Sequence, residues 1–323
     1  MRVPPSIVLF FLAPAIAELL SGSSPPSEFF NPFGLLLLSS LYGSGALIMR
    51  ELKVRWNKSY VSLFILGAAY GIIEEGLMVK SFFDPAWMDL GILGVYGRWL
   101  DVNWVWAEWL TVYHAVFSVA IPITLVEVAY VGERNKRWIG NRTFAALAVL
   151  LAAVTALGYF ALTPYRPPST HYLLATVVVA TLIFAAWKVP ARTGKRGVLQ
   201  PLKPSRLALA GFLSAAGLFM LFMGGPYFVP EPPALMLMGL GVIVAIGNFL
   251  KRYTWNEKTL YHKFSLAVGA VAFLIALTPI QEFDPKRIDN PRGMLIVGVA
   301  TFILLFLLKR KLKASLQEIA AAS

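Results

Sequence analysis

The segment SYVSLFILGAAYGIIEEGLMVK, residues 59–80, carries no charge from Tyr60 to Ile73. A bilayer-spanning helix needs roughly 20 mostly apolar residues, because each adds ~1.5 Å against ~30 Å of hydrocarbon. The segment therefore reads as a transmembrane helix, although it encloses an acidic pair, Glu74 and Glu75. Other runs of the same character flank it. Together they place spans at 4–20, 32–49, 59–79, 104–131, 143–162, 172–187, 207–224, 234–250, 264–281 and 293–308. The runs are long and continuous, whereas a barrel would alternate over ~10 residues per strand. The expected fold class is all-α, a polytopic integral membrane helix bundle of about ten transmembrane helices. The first run has the basic start (Arg2), apolar stretch and small residues (Ala13, Ala15, Ala17) of a signal peptide; we read it as the first span.

The whole chain agrees. Of 323 residues, 58% are hydrophobic and 14% charged, against just under half and about a quarter in soluble domains. The apolar content excludes disorder. With no cysteine, a disulfide scaffold, thiol nucleophiles, Cys–zinc sites and Cys-ligated iron–sulfur clusters are excluded too. The net charge of +12 raises nucleic acid as a partner, and the placement of the charges answers it.

With the N-terminus inside, the inner segments hold Arg2, then Arg50, Lys53, Arg55 and Lys58, then Arg134, Lys136, Arg137 and Arg142. The next inner loops add Lys188, Arg192, Lys195, Arg196, Lys203 and Arg206, then Lys251, Arg252, Lys258 and Lys263. The tail adds Lys309, Arg310, Lys311 and Lys313, making 23 of the 29 Lys and Arg. Lys80, Arg98, Arg166, Lys286, Arg287 and Arg292 stay outside. The positive-inside bias produces this alternation, so a multi-pass protein of the cell membrane with both termini cytoplasmic is expected. Basic charge spread over every inner loop is not a nucleic-acid footprint. It fits topology plus attraction to the lipid bilayer. Asn57-Lys58-Ser59 and Asn141-Arg142-Thr143 match the glycosylation pattern, but both face inward and read as coincidence.

No soluble domain fits between the spans, so residues 1–323 form a single membrane domain. A subdivision into 1–187 and 207–323 is conceivable across the basic, Pro- and Gly-containing loop 188–206. A five-plus-five split would make an inverted repeat, but the halves share only a Pro-rich outer turn at 21–32 and 224–233. The outer loop 80–103 is apolar yet interrupted by Pro85, Gly91, Gly94 and Gly97. Tryptophans stand at 87, 99, 104, 106 and 109. We read an outer aromatic belt there; a flap over an outward-facing site is the other reading.

Ionisable groups inside a bilayer are costly and ask for a reason. They gather in the third and fourth spans as Glu74, Glu75, Glu108 and His114, with Glu18 near the outer end of the first. Gly67, Gly71 and Glu75 are spaced by four and share a helix face, where small residues let a neighbour approach. Glu75 is thus expected to point into the bundle, with Glu74 above Tyr70 and His114 above Ser118. Two adjacent carboxyls and an imidazole suit acid–base work, proton relay or metal binding. Glu75, His114 and Glu108 would suit zinc or manganese, though no cofactor is required by the sequence. Glu127 reads as a membrane-edge residue and His262 as solvated in a basic loop.

A Glu-Glu pair on one membrane helix and a histidine on the next resembles the CAAX-prenyl protease and bacteriocin-processing family. Its pattern is EExxxR, FxxxH and, on a later helix, HxxxN. Here Glu74-Glu75 matches the pair and His114 the second motif, with Leu110 where Phe is expected. Val79 holds the Arg position, with Lys80 one residue late, and His171 matches the third motif with Ala175 in place of Asn. The resemblance implies an intramembrane hydrolase with Glu75 or Glu74 as base, His114 as its partner and His171 as an oxyanion donor. It also implies a membrane-bound or lipidated peptide as substrate.

Three functions are therefore weighed. A membrane-embedded hydrolase with catalytic Glu75, Glu74, His114 and His171, flanked by Glu108, Glu18, Tyr70 and Ser118, comes first. A proton- or cation-coupled transporter of a small solute is the alternative, suggested by the carboxyl pair and by Pro14, Pro122 and Pro279 inside spans. A non-catalytic assembly subunit is the third, since the last four spans hold few polar groups.

Overall fold

Pro5, Pro32, Pro204 and Pro232 each stand in the first turn of a helix, where the missing N–H has no partner to lose. Asn31 and Asn103 cap two helices by accepting from the N–H groups of Phe33 (3.0 Å) and Trp106 (2.9 Å). The structure, a computed structural model, describes residues 3–191, 198–256 and 259–321, with side chains to residue 317. Arg2, Arg192, Lys195, Arg196 and Lys258 lie outside the described residues.

The helices are α1 Pro5–Leu20, α2 Pro32–Arg55, α3 Tyr60–Met78, α4 Trp104–Ala129, α5 Asn141–Leu162, α6 Ser169–Lys188, α7 Pro204–Tyr227, α8 Pro232–Lys251, α9 Leu260–Glu282 and α10 Met294–Ala321. They coincide with the ten expected spans. Eight of them, α2 to α9, are long and apolar enough to cross a membrane. The exceptions are α1, with 16 residues, and α10, whose apolar stretch runs into Lys309, Arg310 and Lys311.

Burial separates centre from periphery. Helices α2, α3 and α4 turn 61%, 67% and 78% of their apolar windows inward, whereas α5 to α8 turn in 11–22%. One core joins Leu9, Leu41, Leu63, Leu66, Val119 and Ile123. A second joins Ile16, Phe117 and Ile121 to Phe264, Val271 and Leu305. A third joins Trp106 and Trp109 to Val179, Phe222 and Leu235. The second and third cores both cross the 188–206 boundary.

Several helices are not uniformly α. Wide π turns occupy Ala15–Leu20, Ser39–Gly43, Ile73–Met78, His114–Ala120, Gly158–Leu162 and Met220–Gly224. Two have a visible cause. Pro14 directly precedes the first of them, and Pro122 follows the fourth by two residues. Each lacks an N–H and crowds the carbonyl four residues back; for Pro122 that carbonyl, Ser118, lies inside the widened turn, which relieves the clash. The Phe10 carbonyl, four residues before Pro14, faces Gly43 of α2, where a side chain would collide with it.

The segment 80–103 folds down as a cap. Phe82, Phe83, Leu90, Leu93 and Val102 are buried in the third core. Strands β1 (Arg98–Trp99) and β2 (Val102–Asn103) pair antiparallel, joined by Leu100 and Asp101, both at positive φ (49° and 57°). That is a hairpin turn usually made with Asn or Gly. Asn103 pins the cap by donating its side-chain amide to Leu93 O and its N–H to Phe82 O (2.8 Å). Trp106 and Trp109 pack inside the protein instead of joining a belt, whereas Trp99 and Trp104 are exposed as a belt requires.

Candidate functional site

Four of the wide turns meet in the bundle, and each delivers a polar side chain. They are Glu18 from α1, Tyr42 from α2, Glu74 and Glu75 from α3, and His114 with Ser118 from α4. Such turns frequently mark functional sites, because the extra residue re-aims side chains off the α-helical register. The approach of α3 to α4 relies on glycine, as expected. A Cβ on Gly67 would lie 2.7 Å from Ala115 Cα, and one on Gly71 would lie 3.0 Å from His114 Cβ.

His114 is the hub. Its Nε2 lies 3.0 Å from Glu75 Oε1, and its Nδ1 lies 2.9 Å from Ser118 Oγ and 3.2 Å from Glu74 Oε2. Both carboxylates therefore reach one imidazole from opposite sides. Tyr42, Tyr70 and Tyr113 surround the ring at centroid distances of 6.1, 6.2 and 5.3 Å. The Tyr42 hydroxyl touches both Glu18 and Glu74. A phenol carries one proton, so it donates to one carboxylate and accepts from the other only if that carboxyl is protonated. Glu18 also accepts from Ser24 Oγ at 2.9 Å. Tyr113 donates to Ala17 O at 2.6 Å, tying α4 to α1. Glu75 is held from outside by Ser81 Oγ, which accepts in turn from Trp106 Nε1 at 3.0 Å.

Glu74, Glu75, His114, Tyr42 and Tyr70 are all buried. Glu74 Oε2 and the Tyr70 hydroxyl have no hydrogen-bond partner among the described residues. One ligand atom each from Glu74, Glu75 and His114 can be chosen so that all lie within 4.8 Å of one another. Beyond the membrane, Asp89 on the cap is pushed above the usual carboxylate range, first by desolvation and then by the Glu75 charge. The 283–293 loop is tied to the C-terminal end of α1, where Arg287 donates to Gly22 O at 2.6 Å and pairs with Asp289.

Other expected site residues stand elsewhere. Pro167 and Pro168 start α6 so late that His171 falls in its first turn, beside the cap. Its ring nitrogens meet Leu100 O (2.8 Å) and Thr170 Oγ1 (3.3 Å), not the Glu pair. On α6, Ala175 lies 3.7 Å from a Cβ on Gly76 with nothing polar to offer, and the Tyr172 hydroxyl is spent on Leu77 O (3.2 Å). Glu108 precedes His114 by six residues, ~240° around an α-helix, so it faces Gly239 of α8. It is therefore not in the possible ligand set, and Glu74 takes its place. Lys80 does not reach the site either. It is buried with φ of 65°, donates to Tyr159 O (2.9 Å) and Thr163 O (3.2 Å) at the end of α5, and burial pushes it down to about 8.

Glu127, near the end of α4, is buried in an ion network. It accepts from Lys53 Nζ at 2.6 Å and Tyr60 OH at 3.0 Å, and lies 3.8 Å from Arg50 Nε. Arg50 is fully buried, 2.7 Å from Glu51 and 3.6 Å over the Trp138 ring. His262, expected in solvent, has a buried Nδ1 in the first turn of α9. Sequence reasoning missed Tyr42, Ser81 and Ser24. The signal for Tyr42 was its setting, SSLYGSG at 39–45, a small and polar stretch inside an apolar span.

Comparison with known proteins gives a family but no activity. Residues 7–321 match a family described as an uncharacterized membrane protein family. A curated relative from Archaeoglobus fulgidus, described as an uncharacterized protein, is 25% identical over 207 residues. The match covers 62% of this chain and 61% of that relative's length. No solved structure matches the chain.

Proposed function

Because the chain belongs to this uncharacterized membrane protein family, its chemistry has to be argued from the site, and we propose that it is a membrane-embedded hydrolase. The observation that carries the reading is one buried imidazole hydrogen-bonded to Glu75 at Nε2 and to Ser118 at Nδ1, with the Glu74 carboxylate 3.2 Å from that second nitrogen. Glu75, fixed by Ser81 and paired with His114, acts as the base that takes a proton from water. His114 receives or returns that proton. Tyr70 has an unspent hydroxyl donor and takes the role of polarising the substrate carbonyl, which His171 stands too far aside to fill. The resemblance to the CAAX-prenyl protease and bacteriocin-processing family supports this division of labour. The substrate is then a membrane-bound or lipidated peptide that enters beneath the cap. The charge distribution supports a cell-membrane location with both termini in the cytoplasm.

The test is turnover of a membrane-embedded peptide reporter in proteoliposomes. Glu75→Gln and His114→Ala should each lower the rate ~10²–10⁴-fold, while wild-type rate in both would remove the proposed chemistry. One observation favours a second reading. The Tyr42 bridge from Glu18 to Glu74 is a proton chain, which suits a proton-coupled transporter. Proton flux in the same liposomes, without peptide cleavage, would favour it.

A further inference from the structure

We propose that Glu74, Glu75 and His114 bind one divalent transition-metal ion of the zinc–manganese class. The inference concerns binding alone and holds whether the site hydrolyses or transports.

Three independent observations lead to it. The first is donor geometry. Zinc takes carboxylate oxygens and imidazole nitrogens at ~2.0–2.2 Å, so two ligands of one tetrahedral ion lie ~3.3 Å apart. His114 Nε2 and Glu75 Oε1 are 3.0 Å apart, and the Glu74 ligand atom lies within 4.8 Å of both chosen partners. Three protein ligands with a fourth position open is the arrangement of a catalytic zinc ion.

The second is unspent bonding capacity. Among the described residues Glu74, 4% exposed, makes no hydrogen bond through Oε2, which meets only the His114 ring at 3.2 Å, and the fully buried Tyr70 hydroxyl has no neighbour to bond except Glu74. Both flank the imidazole. Two adjoining groups left short of hydrogen bonds in a folded interior ask for a further partner.

The third is charge. The ion pairs seen for Glu74 and Glu75 both run to the one imidazole of His114, and Glu18 joins Glu74 through the Tyr42 hydroxyl. Uncompensated charge inside a bilayer is costly. A divalent cation cancels the two ligand carboxylates, while Glu18 keeps its hydrogen bonds from Tyr42 and Ser24. Ser118 on Nδ1 and Ser81 on Glu75 then orient the ligands from behind, as outer partners of metal sites do.

The experiment uses the full chain in detergent or nanodiscs. Metal content is measured by mass spectrometry, and chelator-stripped protein is titrated with zinc and, for its visible absorption, with cobalt. About one equivalent should bind, with His114→Ala and Glu75→Gln each weakening affinity by at least ~10-fold and Glu108→Gln leaving it unchanged. Circular dichroism checks that each variant is folded. Folded wild type with neither retained metal nor a cobalt spectrum overturns the proposal. So does binding that is equal in wild type, His114→Ala and Glu75→Gln. Either result would leave the hydrolase reading intact, because that reading is tested by peptide turnover and not by metal content.

Discussion

Gly67→Ala adds one methyl group to a residue that bonds nothing in the site, yet the structure says it should disable that site. The new Cβ would lie 2.7 Å from Ala115 Cα, 3.1 Å from its carbonyl oxygen and 3.2 Å from its Cβ. Carbon atoms settle at ~3.5–4.0 Å, so α3 and α4 must part by roughly 1 Å. His114 precedes Ala115, and its 3.0 Å bond to Glu75 spans the same interface. Parting the helices carries that pair to about 4 Å, beyond the hydrogen-bonding range. Overpacking costs about 1–3 kcal/mol, and the better helix propensity of alanine returns at most ~1 kcal/mol. The net loss should be roughly 1–2 kcal/mol, read as earlier unfolding in detergent by tryptophan fluorescence. The chain has three histidines, so the His114 imidazole nitrogens can be assigned by NMR, and both should shift. Gly217→Ala is the control, because its Cβ would meet nothing within 4 Å. It should be neutral or stabilising by up to ~1 kcal/mol. If Gly67→Ala proves as stable as Gly217→Ala and leaves the His114 signals in place, the close approach of these helices does not hold the site.

Two further outcomes follow from features away from the site. Arg50→Met removes one partner of a fully buried pair, together with a 2.9 Å bond to Arg134 O and the stack on Trp138. A loss of about 3–5 kcal/mol in detergent unfolding is expected, and adding Glu51→Gln should restore part of it; no recovery would show that charge imbalance is not the cause. The outer latch should loosen in acid. Arg287 holds Asp289 below the usual carboxylate range, so the unfolded loop protonates first as pH falls. The latch is intact above an ordinary Asp pKa of ~3.9 and is lost as pH drops through the lower folded value. Hydrogen exchange over 283–293 should rise only below that point, and an unchanged profile down to strong acid would refute the ion pair.

The spans were legible because membrane insertion is decided by long averages of apolarity, which a sequence displays openly. The inward turn of Glu75 was legible for a similar reason, since Gly67 and Gly71 mark its face. The rest depended on register. Reading 100° per residue puts Glu74 and Glu75 on different faces, and only the widened turn at Ile73–Met78 lets both reach His114. Counting basic residues hid the inner network, because that counting treats Arg50 and Lys53 as solvated. Glu51 and Glu127, acids at the C-terminal ends of two neighbouring spans, were the available clue. His171 misled because a motif gives order along the chain but not depth in the membrane.

The wide turns carry a consequence for how relatives of this chain can diverge. Each is one residue longer than the α turn it replaces. Losing a single residue within 73–78 or 114–120 would restore a regular helix and swing everything on one side by ~100°. Substitutions there alter one contact, but a one-residue gap would dismantle the whole constellation. Members of the family that keep the chemistry should therefore vary in side chains through these stretches while keeping their length, a signature that an alignment of many sequences would expose before any assay was run.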